Sequence, residues 1–497
     1  MKKRGFKPNL RTFHTLLAGF RRAGDPVKGL TSTQMDRARN LFGQYQRYQQ
    51  TVQASNMASN ELGLQPVNEY ISILASSHLY QEIFDVFYSL DKTGPLSPDQ
   101  YVFSRMILAL GKRKALHAGG TEAPEGGKED VHLRNAADVR FLWHQMIKAS
   151  QRTGFPIDSH LIAAALYVLT KGTTADHVLG LSIIRDHLGL SLQDETADPP
   201  EEPISHHTFL AALCLCNAYG DYMRTYHFYK HVSSSEQRSI VDRKHMQEVL
   251  RAIAAQSSSG STSEAKRALE TVQWMLDEEV LGGGSRSALR PDSESYKLAL
   301  TACSRTADWA TACSLFDLMT GLKSEGLGGS QRHQEDQVIA SSPMSQHHII
   351  HPDAEAMDLL SHAALASKEP LNAQQCLNMI SHFGPDHFFG KDRSLPSEHT
   401  RDSDDFSPHL DDSKSQKSEV SRSQFRRKFA RSILRLLELQ KAVPMTSKER
   451  KGISDGWRLL EKRAMALLGP YRPKKATTQP MMSLNKSISI PISINTS

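Results

Sequence analysis

The sequence predicts an all-α fold of stacked helical hairpins, and three observations support that fold class. Apolar residues recur at helical spacing along most of the chain, as in Phe13, Leu16, Leu17 and Phe20. The sequence has no alternating run typical of β-strands, and 39% hydrophobic with 7% aromatic residues is enough for a helical core. A turn containing proline and followed by an apolar helix recurs along the chain, which indicates repeats.

The recurring signal is a turn proline followed about five residues later by a large apolar residue that opens a helix. The clear copies pair Pro8 with Phe13, Pro98 with Phe103, Pro291 with Tyr296 and Pro352 with Met357, and the weaker copies begin at Pro66, Pro156 and Pro203. Because two short helices bury too little surface to offset their ordering entropy, such units must stack on one another. Intervals of 58 residues after Pro8 and 61 after Pro291 predict insertions or missed units.

The first stretch, residues 1–42, begins "MKKRGFKPNLRTFHTLLAGFRRAG". Its order of a "GFKPN" turn and then "xTFxxLLxGFxxAG" resembles the pentatricopeptide repeat, a family of helical-hairpin proteins that bind single-stranded RNA. The resemblance implies a right-handed superhelix, or α-solenoid, of helix-turn-helix repeats over residues 1–383. The degenerate, insertion-rich units look most like fungal mitochondrial members, which implies a mitochondrial location.

The resemblance also implies where RNA would bind. In the family, the residue after the aromatic of each first helix faces the groove and meets a base edge, helped by the residue after the turn proline. One short polar side chain per unit can hydrogen-bond one splayed base. The weak units offer Ile71, Ile162 or Leu210, which cannot read a base edge, so no base code is legible. The implied RNA-binding residues are His14, Ser104, Lys297 and Asp358 in the groove, and Asn9, Asp99, Asp292 and Asp353 at the turns.

Composition shifts divide the chain further. Gly-rich, acidic or polar stretches predict disordered insertions at about 111–132, 191–203 and 321–350. Ser, Asp, Lys and Pro dominate residues 384–420, which predicts a disordered linker. Beyond it, apolar stripes among many arginines predict a basic helical pair at 421–470, before a polar tail at 471–497.

No pattern supports catalysis, and neither a cofactor nor a metal is expected. The aspartates of residues 402–412 have the side chains of a two-metal nuclease, but their polar surroundings cannot hold carboxylates around metal ions. His347 and His351 favour a polar loop before Pro352 over a metal-binding pair. The chain has no Gly-rich phosphate loop.

Cysteine usage, hydropathy and charge limit the classes of protein to which the chain can belong. Five cysteines without a C-x-x-C pair predict reduced core thiols, and the absence of an 18-residue apolar run predicts no membrane span. The net charge of +6 is small for this length, but basic residues cluster in the first repeat, residues 1–42, and in the stretch Arg422 to Arg435. Either cluster could neutralise phosphates.

These observations and the resemblance together give a functional expectation. We expect sequence-selective binding of single-stranded RNA, not of DNA, in the processing of mitochondrial small-subunit ribosomal RNA or of intron-containing transcripts. One alternative is a structural pentatricopeptide-type subunit or assembly factor of the mitochondrial small ribosomal subunit. Another is a protein-binding helical scaffold, which the missing tetratricopeptide spacing W-x-x-L-G-x-x-Y disfavours. The sequence begins in mid-unit with no visible transit peptide, which predicts a start further upstream.

Overall fold

A computed structural model describes nine stretches of the chain, and the structural statements that follow concern those residues. The described residues are 8–25, 29–55, 62–113, 125–192, 203–281, 287–327, 349–389, 412–441 and 455–468. Apart from one isolated bridge between Asp25 and Gly29, their regular structure is entirely helical. The predicted all-α class is therefore confirmed.

The chain divides into two compact units. The first comprises Met1–Pro352 and His362–Lys368, and the second comprises Asp353–Ser361 and Glu369–Ser497. The α-helices described in the first unit are α1 Leu10–Ala23, α2 Ser32–Ala54, α3 Gln65–Ser76, α4 Tyr80–Tyr88, α5 Gln100–Lys112, α6 Glu125–Thr153, α7 Ser159–Leu169, α8 Thr174–Leu188, α9 His206–Tyr219, α10 Tyr222–Ser234, α11 Arg243–Gln256, α12 Ser263–Leu281, α13 Ser293–Thr306 and α14 Trp309–Thr320. Helix α15, Ala354–Ser367, contributes residues to both units.

The helices of the first unit pack as a series of hairpins. The odd-numbered helices from α1 to α13, here called the first helices, each contact the next odd-numbered helix. Each even-numbered helix from α2 to α12 contacts the first helices before and after it. This repeated arrangement buries an apolar face on every hairpin against its neighbours, as stacked repeats require.

Side-chain caps explain where most first helices begin. The side chains of the residues preceding α1, α5, α7, α9, α11 and α13 accept hydrogen bonds from backbone N–H groups of the first helical turn. Such a cap satisfies donors that the helix leaves unpaired and typically contributes about 1 kcal/mol. The capping residues are Asn9, Asp99, Asp158, Ser205, Asp242 and Asp292.

A buried apolar residue follows each of these caps by four positions. Four residues make about one helical turn, so the side chain points back over the cap and into the layer between hairpins. The residues at this position are Phe13, Phe103, Ile162, Phe209, Met246 and Tyr296, each at most 4% exposed. Helix α3 differs, because it begins after Leu64 without a side-chain cap and has Pro66 in its first turn.

One repeat was not found by the proline signal. Helix α11 occupies a first-helix position between α9 and α13, and it begins after Asp242 rather than after a turn proline. The residues described between α1 and α3 form one long helix, α2, and no extra hairpin. The 61 residues after Pro291 include residues 328–348, which lie outside the described part.

The predicted insertions differ in extent from the structure. Helix α5 continues to Lys112 and α6 already begins at Glu125, so helices occupy part of the 111–132 range. An ion pair between Asp130 and Arg134, one turn apart at 2.9 Å, supports the start of α6. In the range 321–350, a short 3-10 helix covers Ser324–Gly326. Residues 114–124, 193–202 and 328–348 lie outside the described part.

The second unit contains the end of the described chain. Its helices are α16 Pro370–Phe383, α17 Pro385–Phe389, α18 Asp412–Lys441 and α19 Asp455–Leu468, with the first part of α15. Helix α18 contacts α16 and α19. The range predicted as a linker, 384–420, therefore includes α17 and the start of α18. Phe388 of α17 is buried against Phe429 of α18, with ring centres 5.3 Å apart. The predicted tail, 471–497, lies outside the described residues.

Candidate nucleic-acid interface

The turn residues singled out in the sequence are helix caps. Asn9 and Asp99 accept from the backbone N–H groups of Thr12 and Val102 through Oδ1, at 3.0 and 2.9 Å. Asp292 Oδ1 accepts from the N–H of Ser295 at 3.0 Å in the same way. In the second unit Asp353 Oδ1 accepts from the N–H of Ala356 at 2.9 Å. One side-chain oxygen of each residue therefore caps the helix that follows it.

The groove residues occupy a second shared position, five residues after the cap. In the first helices this position is half-buried throughout. In the six helices with a side-chain cap it follows the buried apolar residue at position four, whereas in α3 position four is the half-buried Asn68. Because first helices contact one another in series, the position places one side chain per hairpin on a common face. We call this set the row: His14 on α1, Glu69 on α3, Ser104 on α5, Ala163 on α7, Leu210 on α9, Gln247 on α11 and Lys297 on α13.

The amino-terminal end of the row is charged. His14 Nε2 lies 3.8 Å from Glu69 Oε1, and Arg21 Nε lies 2.5 Å from Glu69 Oε2. These contacts join α1 to α3, and they leave the His14 side chain 43% exposed. Arg21 belongs to the basic cluster noted in the sequence, so part of that cluster serves contacts between helices.

The carboxyl-terminal end of the row is polar and hydrogen-bonded across helices. Gln247 Nε2 donates to Asp292 Oδ1 at 2.9 Å, and Arg243 Nε lies 3.3 Å from Asp292 Oδ2. Burial raises the pKa of Asp292, but the hydrogen bonds from Ser295 and the neighbouring Arg243 more than offset this and leave the pKa lowered. Asp292 is therefore an ionised cap that also joins α11 to α13.

The middle of the row is apolar. Ala163 and Leu210 cannot hydrogen-bond a base, as the sequence indicated for Leu210. One helical turn after Ala163, however, Tyr167 stands 57% exposed, with the Lys171 ammonium 4.5 Å from its ring centre. Exposed aromatic rings are the surfaces on which unstacked bases stack. The site therefore offers hydrogen bonding at its ends and a stacking surface at its centre.

Two sequence expectations for this surface need correction. Asp358 is buried, at 7% exposure, and its Oδ1 accepts a hydrogen bond from Ser432 Oγ of α18 at 2.6 Å. A base edge cannot reach a carboxylate that another helix covers. In the weak units, Ile71 and Ile162 are buried core residues, and Glu69 and Ala163 occupy the equivalent row positions.

Sequence reasoning missed Glu69, Ala163, Gln247 and Tyr167 because it counted from the turn proline. The caps would have identified two of them, Ala163 and Gln247. Asp158, Asp242 and Asp292 each precede a buried apolar residue by four positions and a row residue by five. A capping side chain with an apolar residue four positions later is thus a better marker of this repeat than the proline.

Three side chains of metal-ligating type meet where α9 and α11 begin. His206 Nε2 lies 2.7 Å from Asp242 Oδ2, and His245 Nδ1 lies 2.7 Å from Asp242 Oδ1. The other ring nitrogen of the fully buried His245 lies 3.0 Å from the carbonyl oxygen of His206. Within the described part of the chain, these are the residues that could hold a metal ion, since their ligand atoms lie within 4.8 Å of one another. As described, the three groups satisfy one another and clamp α9 to α11.

The cysteine thiols are poor nucleophiles in this environment. Burial raises the pKa of Cys214, Cys216 and Cys313 to about 12, so the thiolate is scarce at neutral pH. The five cysteines, Cys214, Cys216, Cys303, Cys313 and Cys376, are free, as the sequence predicted, although Cys214 is only half-buried. His347 and the aspartates 402–411 lie outside the described residues, and nothing is described of the side chain of Asp412.

Comparison of the chain with protein-family models and with curated proteins finds no match. Among the described helices, none is both long enough and apolar enough to cross a bilayer.

Proposed function

We propose that the protein binds single-stranded RNA along the row, as part of mitochondrial RNA metabolism. One observation carries the proposal: consecutive hairpins present a half-buried residue at the same helical position, and His14, Ser104, Gln247 and Lys297 there can donate or accept hydrogen bonds. Bases of a single strand can be splayed out and read one per hairpin, whereas paired bases cannot.

The resemblance of the first stretch to pentatricopeptide repeats supports the same proposal. It extends the proposal to a right-handed superhelix and to processing of small-subunit ribosomal RNA or intron-containing transcripts. In this proposal the protein positions RNA without catalysing a reaction. Tyr167 adds a stacking surface where Ala163 and Leu210 offer no hydrogen bond.

Crosslinking of bound RNA in cells, followed by sequencing, tests the proposal. We expect one or a few mitochondrial transcripts to be enriched over a variant with Ser104→Ala and Lys297→Ala, which changes only half-buried positions. Uniform recovery of all transcripts would contradict selective binding. Sedimentation separates a processing factor, which runs mostly free, from a structural subunit, which runs with small ribosomal particles.

A protein-binding scaffold is a second candidate, and the apolar middle of the row favours it. Leu108 is 44% exposed and Tyr167 57% exposed, on the contacting helices α5 and α7. An amphipathic peptide could cover both side chains. A Leu108→Ser, Tyr167→Ser variant that loses a protein partner but retains RNA binding would support this alternative.

A further inference from the structure

Helix α18 carries three arginines in line. Arg427, Arg431 and Arg435 are spaced four residues apart, so they lie on one face at successive turns, about 6 Å apart along the helix axis. All three side chains are exposed. We call these residues the arginine stripe.

Packing fixes which way the stripe faces. Phe429, Ile433 and Leu437 on the other side of α18 are buried, and the helix contacts α16 and α19. The apolar face is thus used within the second unit, and the stripe is turned to solvent. A membrane-surface helix needs a free apolar face to insert, and α18 has already committed its own.

The described acids of the second unit form no ion pair with the stripe. Glu461 pairs with Lys441, and Asp386 pairs with Arg463, each at 2.7 Å. Between described residues, no ion pair joins an acid to any of the three stripe arginines, even though Glu438 lies one turn beyond Arg435. Like charges one turn apart repel one another, so the stripe is a surface whose charge is left for a partner.

We propose that the arginine stripe binds the phosphate backbone of single-stranded RNA without reading its bases. A planar guanidinium pairs with phosphate oxygens through two parallel hydrogen bonds, and a polynucleotide offers a phosphate at every step to a row of such groups. The identity of the polyanion rests on the proposed function. The row supplies base preference, and the stripe supplies affinity that depends on salt.

The test measures binding of the full chain to a fluorescent oligouridylate between about 50 and 200 mM salt. Replacing all three arginines with glutamine should weaken binding roughly 10- to 100-fold at low salt and reduce the slope of log K against log salt by about 2. The matched control changes three exposed basic residues elsewhere, Arg37, Lys148 and Lys266, to glutamine and should leave the slope near that of the parent. Replacing the stripe with lysines keeps the charge and should retain most of the slope.

Each outcome decides for or against the stripe. Glutamine variants of the stripe and of the control that show equal slopes would overturn it, as would a parent chain that binds anionic phospholipid vesicles but not the oligouridylate. Thermal melts of all variants confirm equal folding. If the stripe variant loses affinity while the row variants leave base preference unchanged, the stripe stands and the row proposal fails. If the stripe variant keeps its affinity while the row variants change base preference, the stripe proposal alone is refuted.

Discussion

Arginines of the first unit and arginines of α18 face different surroundings. In the first unit Arg39 lies 2.6 Å from Glu82, Arg113 lies 3.3 Å from Asp138, and Arg238 pairs with Glu278. The stripe arginines of α18 form a line without such pairs among the described residues. These ion pairs of the first unit join helical segments, whereas the three exposed stripe arginines pair with no described acid.

The largest expected change in the free energy of unfolding comes from removing a core aromatic side chain of the first unit. Phe103 is 1% exposed and packs against Phe87 and Phe155, with ring centres 5.5 and 6.1 Å apart. Phe103→Ala should lower the free energy of unfolding by about 3–5 kcal/mol, because it leaves a cavity between hairpins. Urea denaturation measures the change. The control Tyr101→Ala, at a position 59% exposed, should change it by less than about 0.5 kcal/mol.

A smaller loss of unfolding free energy is expected where the hydrogen bonds among His206, Asp242 and His245 join α9 to α11. Asp242→Ala removes the cap of α11 and the hydrogen bonds to His206 and His245, and it should cost about 2 kcal/mol of unfolding free energy. Arg431→Ala should leave the same quantity unchanged, since its side chain is exposed. Equal destabilisation by both would contradict the contrast between joining and outward-facing charges.

The pH dependence of two caps sharpens the comparison within the first unit. Burial raises the pKa of Asp242, but hydrogen bonds from the His245 and His206 rings outweigh it, so the pKa lies below its usual range. Burial raises the pKa of Asp99 against weaker lowering by the N–H groups of Val102 and Tyr101. Ionised Asp242 therefore stabilises the fold above the unfolded value of about 4 and loses this effect as pH falls. Asp99 behaves oppositely, stabilising below that value and losing this effect as pH rises through its folded pKa.

The measurement compares each aspartate with asparagine, which still caps a helix but does not titrate in this range. From pH 6 to pH 3, urea midpoints should show the parent losing stability relative to Asp242→Asn and gaining it relative to Asp99→Asn. Shifts of the same sign in both comparisons would contradict the opposite roles of burial and hydrogen bonding.

The sequence predicted the helices well because their determinants are local. The cap at Asp99 and the buried Phe103 lie within one turn, and the helical spacing around them follows from those few residues. The site was predicted less well, because its members depend on packing between distant segments. Asp358 has the right position in its helix but is covered by Ser432, 74 residues away. The places of Glu69 and Gln247 in the row depend on the contacts of their helices with neighbouring first helices.

The smallest expected effect concerns one residue of the row. Ser104→Ala should weaken binding of the preferred RNA by about 1 kcal/mol and relax preference at one nucleotide, with unfolding free energy unchanged. Ala163→Ser places a hydroxyl at the equivalent position of α7 and should create a preference where the parent has none. Competition binding with RNAs varied at single positions checks both. Identical preferences in the parent and both variants would show that this face reads no base.

Binding of the full chain to a single-stranded RNA and to its duplex, measured side by side at several salt concentrations, tests the central claim most directly. We expect the single strand to bind much more tightly, and the preference to persist in the stripe variant, because it depends on access of bases to the row rather than on phosphates. Equal affinity for the single strand and the duplex would contradict a base-reading row.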